Sequence, residues 1–172
     1  MCQIFVKKDK SHVGRDIAQK LFEDTYSQNP DGFGWVCCQG NAHKTLDIDI
    51  AREVFLSQEW EIFHFRKATT GKILKENCHP FECEKGYLFH NGTAFQTQCG
   101  TPDSAIIAKS SDLLSELDRL SQSNRFAIYH KKQAPQQLIT LHGAWLDGFN
   151  WWVANAKYTS QEVLSLIKKQ PV

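Results

Sequence analysis

Hydrophobic positions in this chain come in short blocks whose period changes along its length. Cys2 to Val6 is an apolar block of strand formers that ends at Lys7-Lys8, and it predicts a first strand. Val13, Ile17, Leu21 and Phe22 recur at helical spacing, with Lys20, Glu23 and Asp24 on the other side. Residues 13–26 therefore predict a helix, stopped by the turn signal Asn29-Pro30-Asp31-Gly32. Phe33 to Cys38 reads as strand, Gly40-Asn41 as a hairpin turn and Lys44 to Ile50 as the return segment. Trp60 to Arg66 alternates, which puts residues 62, 64 and 66 on one face of a strand. The polar stretch 67–77 and Pro80 beyond it predict a loop rather than a continuous hairpin. Tyr87 to His90 reads as strand, turned at Asn91-Gly92. Leu113, Leu114, Leu117 and Leu120 mark a helix over 112–121, with Ser111 or Asp112 as its N-cap. Arg125 to Tyr129, Gln137 to Leu141 and Trp151 to Ala154 predict three further strands, with a turn at Asp147-Gly148. Thr159-x-x-Glu162 is a capping box ahead of Val163, Leu164 and Ile167. Strands and helices do not alternate regularly, so an α+β domain with antiparallel sheets is expected rather than a doubly wound parallel sheet, with residues 1–172 as one domain.

Charge narrows the choice of partners. Twenty Lys and Arg against 19 Asp and Glu leave a net +1, which supplies no field for a phosphate backbone, so no nucleic acid is expected. No run approaches 18 to 20 apolar residues, so no membrane span is expected. The start of the chain turns polar after six residues without a secretory h-region, which points to the cytoplasm and to reduced thiols for most of the six cysteines. Cys78, His79, Cys83 and His90 could supply metal ligands, but C-H-x3-C fits no structural zinc spacing. No phosphate-cradling glycine loop is present either, and neither metal nor cofactor is expected.

Three features carry candidate chemistry. Removal of Met1 would leave Cys2 bearing both a thiol and a free α-amine, and an amine titrating near pH 7.7 to 8 can accept the thiol proton. An arginine ending the strand from Trp60 can hold a carboxylate bidentately, or lie on the surface with its stem snorkelling. Asn91-Gly92 after an apolar strand is the signature of a type I′ turn. The same pair offers an amide and an unencumbered backbone N–H, the donors of an oxyanion hole.

In order, these features stand within a longer series: Cys2 with Ile4-Phe5, Asp31-Gly32-Phe33-Gly34, His64-x-Arg66-x-Ala68-Thr69-Thr70-Gly71, Asn77-x-His79-Pro80-Phe81 and His90-Asn91-Gly92. The series resembles the class II glutamine amidotransferase (glutaminase) domain of the N-terminal nucleophile hydrolase family. The resemblance is dense from Cys2 to Asn91 and thins after Gly92. It implies a four-layer αββα sandwich with two packed, largely antiparallel sheets. It further implies that Cys2 is the nucleophile, that Asn91 and Gly92 form the oxyanion hole, and that Arg66 grips the α-carboxylate of glutamine. Thr69, Thr70 and His79 fall among the substrate-binding positions. An aspartate, usually within Ser-Asp-Thr/Ser-Glu, binds the α-amino group in the family; Asp112 after Ser111 is the first candidate here and Asp103 the second. The implied activity is hydrolysis of glutamine or a γ-glutamyl amide through a Cys2 thioester, releasing ammonia. Gln3 stands where the family usually has Gly and could narrow the pocket, and Lys67 stands at an often aromatic position. The 172 residues leave no room for a synthase domain, so the resemblance implies either a stand-alone amidohydrolase or a separate ammonia-accepting synthase as partner. Two other readings remain: a non-catalytic glutamine-binding or regulatory protein that keeps Met1, and an amidohydrolase for another small amide.

Overall fold

The computed structural model describes residues 2–8, 12–69, 71–97, 100–131, 139–148, 150–154 and 161–168. Strand β1 (Gln3–Lys7) is followed by helix α1 (Arg15–Gln28), strands β2 (Phe33–Cys37) and β3 (Ala42–Thr45), helix α2 (Ile48–Ser57) and strand β4 (Trp60–Phe65). A long loop with one 3-10 turn (Lys75–Asn77) leads to the hairpin β5 (Phe81–Cys83) and β6 (Gly86–Asn91). Helices α3 (Asp103–Ile107) and α4 (Leu113–Leu120) precede β7 (Arg125–His130), β8 (Ile139–His142), β9 (Leu146–Asp147) and β10 (Trp151–Ala154), and α5 (Gln161–Lys168) closes the series. One sheet has the order β3-β2-β4-β1-β10-β9 and the other β5-β6-β7-β8. Every pairing described is antiparallel. The chain is thus α+β with two antiparallel sheets, as the order of elements predicts. No helix among the described residues is long and apolar enough to cross a membrane.

Three apolar clusters sit around these sheets. Phe5, Phe33, Phe63, Phe65 and Trp151 of the first sheet pack with Leu21 and Phe22 of α1 and Phe55 of α2. The opposite face of that sheet, with Ile4, Val6, Val36, Ile62 and Ala154, meets Phe89, Ala127 and Tyr129 of the second. Leu88, Phe126 and Ile128 on the far side of the second sheet bury Ile107 of α3 with Leu113, Leu117 and Leu120 of α4. The arrangement is compatible with a sandwich.

Period-2 alternation in β1 therefore sorts its side chains cleanly. Ile4 and Val6 point between the sheets, while Phe5 points to α1 and α2. Cys2 falls in phase with Ile4, and Gln3 with Phe5. In β4 the register against β2 shifts between Val36 and Cys37. The extra residue lets Trp60 and Phe63 share the helix-facing cluster while Ile62 points between the sheets.

Several local expectations need correcting. Of the return segment 44–50 only Lys44 and Thr45 belong to a strand, and helix α2 begins within it at Ile48. Asp47 starts that helix: its carboxylate accepts the backbone N–H of Asp49 at 2.8 Å and of Ile50 at 3.3 Å. The short helix α3 is likewise absent from the sequence reading. Pro80 does not prevent a hairpin, because β5 begins just after it, at the edge of its sheet, where a missing N–H is tolerated. Asn91-Gly92 is not a type I′ turn. Strand β6 stays paired through Asn91, opposite Arg125, and Gly92 at φ +144° leads into the loop before α3. Thr159 and Gln137 lie outside the described residues.

Candidate active site

Cys2 is buried at the start of β1, with its Sγ against the chain just beyond β4. The Lys67 backbone N–H donates to Sγ at 3.4 Å, and the Lys67 carbonyl lies 3.5 Å from it. Burial pushes the thiol pKa up, the Lys67 backbone and the Arg66 charge offset part of that, and Asp103 adds to it. The Asn91 side-chain amide donates to the carbonyl oxygen of Cys2, which ties the end of β6 in the second sheet to the start of β1 in the first.

The segment carrying Arg66 is fixed from the β2 side. Its N–H donates to Gly32 O at 2.8 Å, its carbonyl accepts from Asp31 N at 3.0 Å, and the Asp31 carboxylate accepts Ala68 N–H at 2.8 Å. Arg66 is buried, so of the two readings left open for it the snorkelling surface arginine is the one that fails.

His79 arrives by a close crossing. A Cβ at position 34 would overlap the His79 carbonyl oxygen, so only glycine lets the 78–80 segment lie against β2 there. The His79 ring packs against that of His64 with centroids 4.2 Å apart and planes tilted by 38°. Both ring nitrogens of His79 are buried without a hydrogen-bond partner. Burial holds its pKa well below the ordinary imidazole value, helped by the neighbouring His64 and His90. His64 is pulled down to about 3, chiefly by burial, with the His90 backbone opposing.

Cys2, Arg66, Lys67, Thr69, His79, His90, Gly92, Pro102, Asp103 and Ser104 line one cleft. Its interior is about 20 Å³, enough for a single water. Two loops meet over it: Thr69 Oγ1 lies 3.2 Å from Thr93 Oγ1, and Lys72 N–H donates to Gly100 O at 3.2 Å.

Of the residues singled out from sequence, Cys2, Arg66, Thr69, His79 and Gly92 thus come together, and Asn91 reaches the same place through Cys2. Thr70 lies outside the described residues. Asp112 does not come to the cleft. It is exposed at the N-terminus of α4, where its side chain makes no capping hydrogen bond. Asp103, the second candidate, lines the cleft and is buried at the start of α3. Gln3 is absent from the lining, because its place in β1 turns it toward the helix side with Phe5. Ser104 and His90 line the cleft too, although sequence reasoning gave Ser104 no role and weighed His90 only as part of its motif and as a possible metal ligand. The available signal for Asp103 and Ser104 was Pro102-Asp103-Ser104 opening the apolar run Ala105-Ile106-Ile107-Ala108. Among the described residues no group of three or more His, Cys, Asp or Glu is arranged to hold a metal ion. The described cysteines, Cys2, Cys37, Cys38, Cys78 and Cys83, are in the thiol form.

Comparison with known family models and with curated proteins gives no match to this chain.

Proposed function

We propose that this chain is a glutaminase-type amidohydrolase, a class II glutamine amidotransferase domain with the four-layer αββα fold of N-terminal nucleophile hydrolases. The observation that supports this reading most is the single cleft holding Cys2 together with Arg66, Thr69, Gly92 and Asp103. Once Met1 is removed, the Cys2 α-amine takes the thiol proton, which the burial of the sulfur otherwise holds in place. The sulfur attacks the γ-carboxamide carbon of glutamine. The Gly92 N–H and the second N–H of the Asn91 amide receive the oxyanion. The protonated amine returns its proton to the leaving nitrogen, the C–N bond breaks, and ammonia departs from a γ-glutamyl thioester. Water, deprotonated by the same amine, then attacks the thioester and releases glutamate and the free thiol. Arg66 holds the α-carboxylate and Asp103 the α-ammonium, opposite charges at two points of an unreacting end. A one-water cleft is too small for an amino acid, so the loops joined by Thr69 and Thr93 part on binding.

Intact mass before and after exposure to a glutamine analogue with an electrophilic γ-position tests the reading. A protein lacking Met1 that gains one adduct, with no adduct on Cys2→Ala, is the expected result. A Met1-less protein that gains no adduct moves the substrate to another amide. A retained Met1 without adduct favours glutamine binding without turnover.

A further inference from the structure

A buried chain of polar side chains runs behind the cleft and ends on Asp103. Asn124, His90, Ser104 and Asp103 are each no more than 3% exposed. The Asn124 amide nitrogen donates to Leu120 O and to Ser123 Oγ, both at 3.1 Å, so its Oδ1 is the atom turned to His90. That oxygen lies 2.8 Å from His90 Nε2, which must carry the proton. His90 Nδ1 is then the acceptor, and it lies 2.8 Å from Ser104 Oγ. The Ser104 hydroxyl has one hydrogen. It goes to Nδ1 rather than to Asp103 Oδ1, which lies farther off at 3.3 Å. The Asp103 carboxylate is held by backbone instead: Oδ1 accepts Ser104 N–H at 2.8 Å and Oδ2 accepts Ala94 N–H at 2.7 Å. These two bonds set the orientation of the carboxylate within the cleft that it lines.

The placement of these residues couples two parts of the site. His90 directly precedes the oxyanion pair on β6, and Ser104 is the second residue of α3. A Cβ at Gly92 would overlap Asn124 Oδ1, so the same asparagine also abuts the oxyanion glycine. The bond from His90 to Ser104 therefore fixes α3, and with it Asp103, relative to Asn91 and Gly92.

We infer that Ser104 and His90 are positioning residues that hold the Asp103 carboxylate at the distance from the oxyanion pair where it selects substrates bearing an α-ammonium group. The inference rests on the glutaminase reading. It adds the residues through which the site distinguishes an α-amino γ-amide from the same amide without the amine.

The test measures binding, so that it does not depend on turnover. Calorimetric titration of Cys2→Ala protein with glutamine and with its deaminated counterpart, 5-amino-5-oxopentanoate, gives a discrimination ratio. Adding Ser104→Ala is expected to weaken glutamine binding about tenfold and to leave the deaminated ligand unchanged, the loss expected for one buried hydrogen bond. Ser104→Thr, which keeps the hydroxyl, is expected to restore the ratio, and Asp103→Asn to abolish it. General loosening of the fold would weaken both ligands alike, and that result overturns the inference, as does an unchanged ratio in Ser104→Ala. Failure of the Cys2→Ala protein to bind glutamine overturns the inference and the glutaminase reading together. A ratio that collapses as expected, in a protein whose Cys2 form never hydrolyses glutamine, leaves the positioning role standing and overturns the hydrolytic reading alone.

Discussion

Cys2 joins two demands that oppose each other. Burial raises the pKa of its thiol, while nucleophilic attack requires the thiolate. In the proposed reaction the α-amine of the same residue resolves the conflict at the shortest range, because the proton need not cross the cleft. In the same proposal Asn91 and Gly92 stabilise the negative charge that develops as the sulfur attacks. Asn91→Ala should lower kcat for glutamine about a hundredfold or more, the cost of losing one oxyanion donor, with KM changed far less. Steady-state ammonia release measures it, and a variant that alters KM alone would remove Asn91 from that role. At this scale the sequence was informative wherever a residue's place in a strand decides its direction. Arg66 could be placed on one face with Ile62 and His64 by counting in twos. The aspartate could not. Ser111-Asp112 and Asp103-Ser104 each match half of the family's stretch, and both stand beside a helix start. Only burial separates them, and burial is decided by the second sheet rather than by neighbours in the chain.

Between elements, the site depends on how closely strands and loops approach. Sequence patterning predicted most strands to within a residue or two, since their alternation and flanking turns are local. It missed α2, whose apolar positions Ala51, Phe55 and Leu56 begin inside a segment already assigned to a strand. It missed α3 because five residues are too few for a period to register. It gave no reason for Gly34, a glycine within a strand. That reason is the carbonyl of His79 lying against β2. Gly34→Ala is accordingly expected to lose about 3 kcal/mol or more, at the upper end for an overpacked interior, because backbone rather than a flexible side chain must yield. Chemical denaturation reads this directly, and a midpoint equal to that of the parent protein would show that the crossing is not tight.

For the whole molecule, the imidazoles enclosed near the cleft set an acid limit. His64 and His79 are neutral when folded, held below the usual range by burial first and by neighbouring positive charge second. In the unfolded chain each binds a proton below pH 6.5, whereas folded His64 does so only near pH 3. The unfolded state therefore holds more protons throughout that window, and stability is lost as pH falls through it. His64 should cost about 2 kcal/mol by pH 5 relative to pH 7, and His79 acts in the same direction. Urea unfolding at pH 7, 6 and 5 should show the midpoint falling at each step; a constant midpoint would mean that these rings gain protons without unfolding. The α+β class and the antiparallel sheets follow from the order of elements, but strand neighbours do not. Hydrophobic alternation says which face a strand buries and nothing about which strand lies beside it.

The position of β1 illustrates this and carries a further consequence. Its two neighbours are β4 and β10, so Ile4 pairs with His64 on one side and with Ala154 on the other. In synthesis β4 (Trp60–Phe65) emerges well before β10 (Trp151–Ala154). Until then β1 has one open edge, and the cluster that includes both Ile4 and Ala154 is incomplete. Closing that edge joins residues far apart in the chain, the kind of contact that forms slowly. A chain that has not yet added β10 therefore leaves Ile4 and Val6 partly uncovered, while the residues that line the cleft with Cys2, all between 66 and 104, are already present.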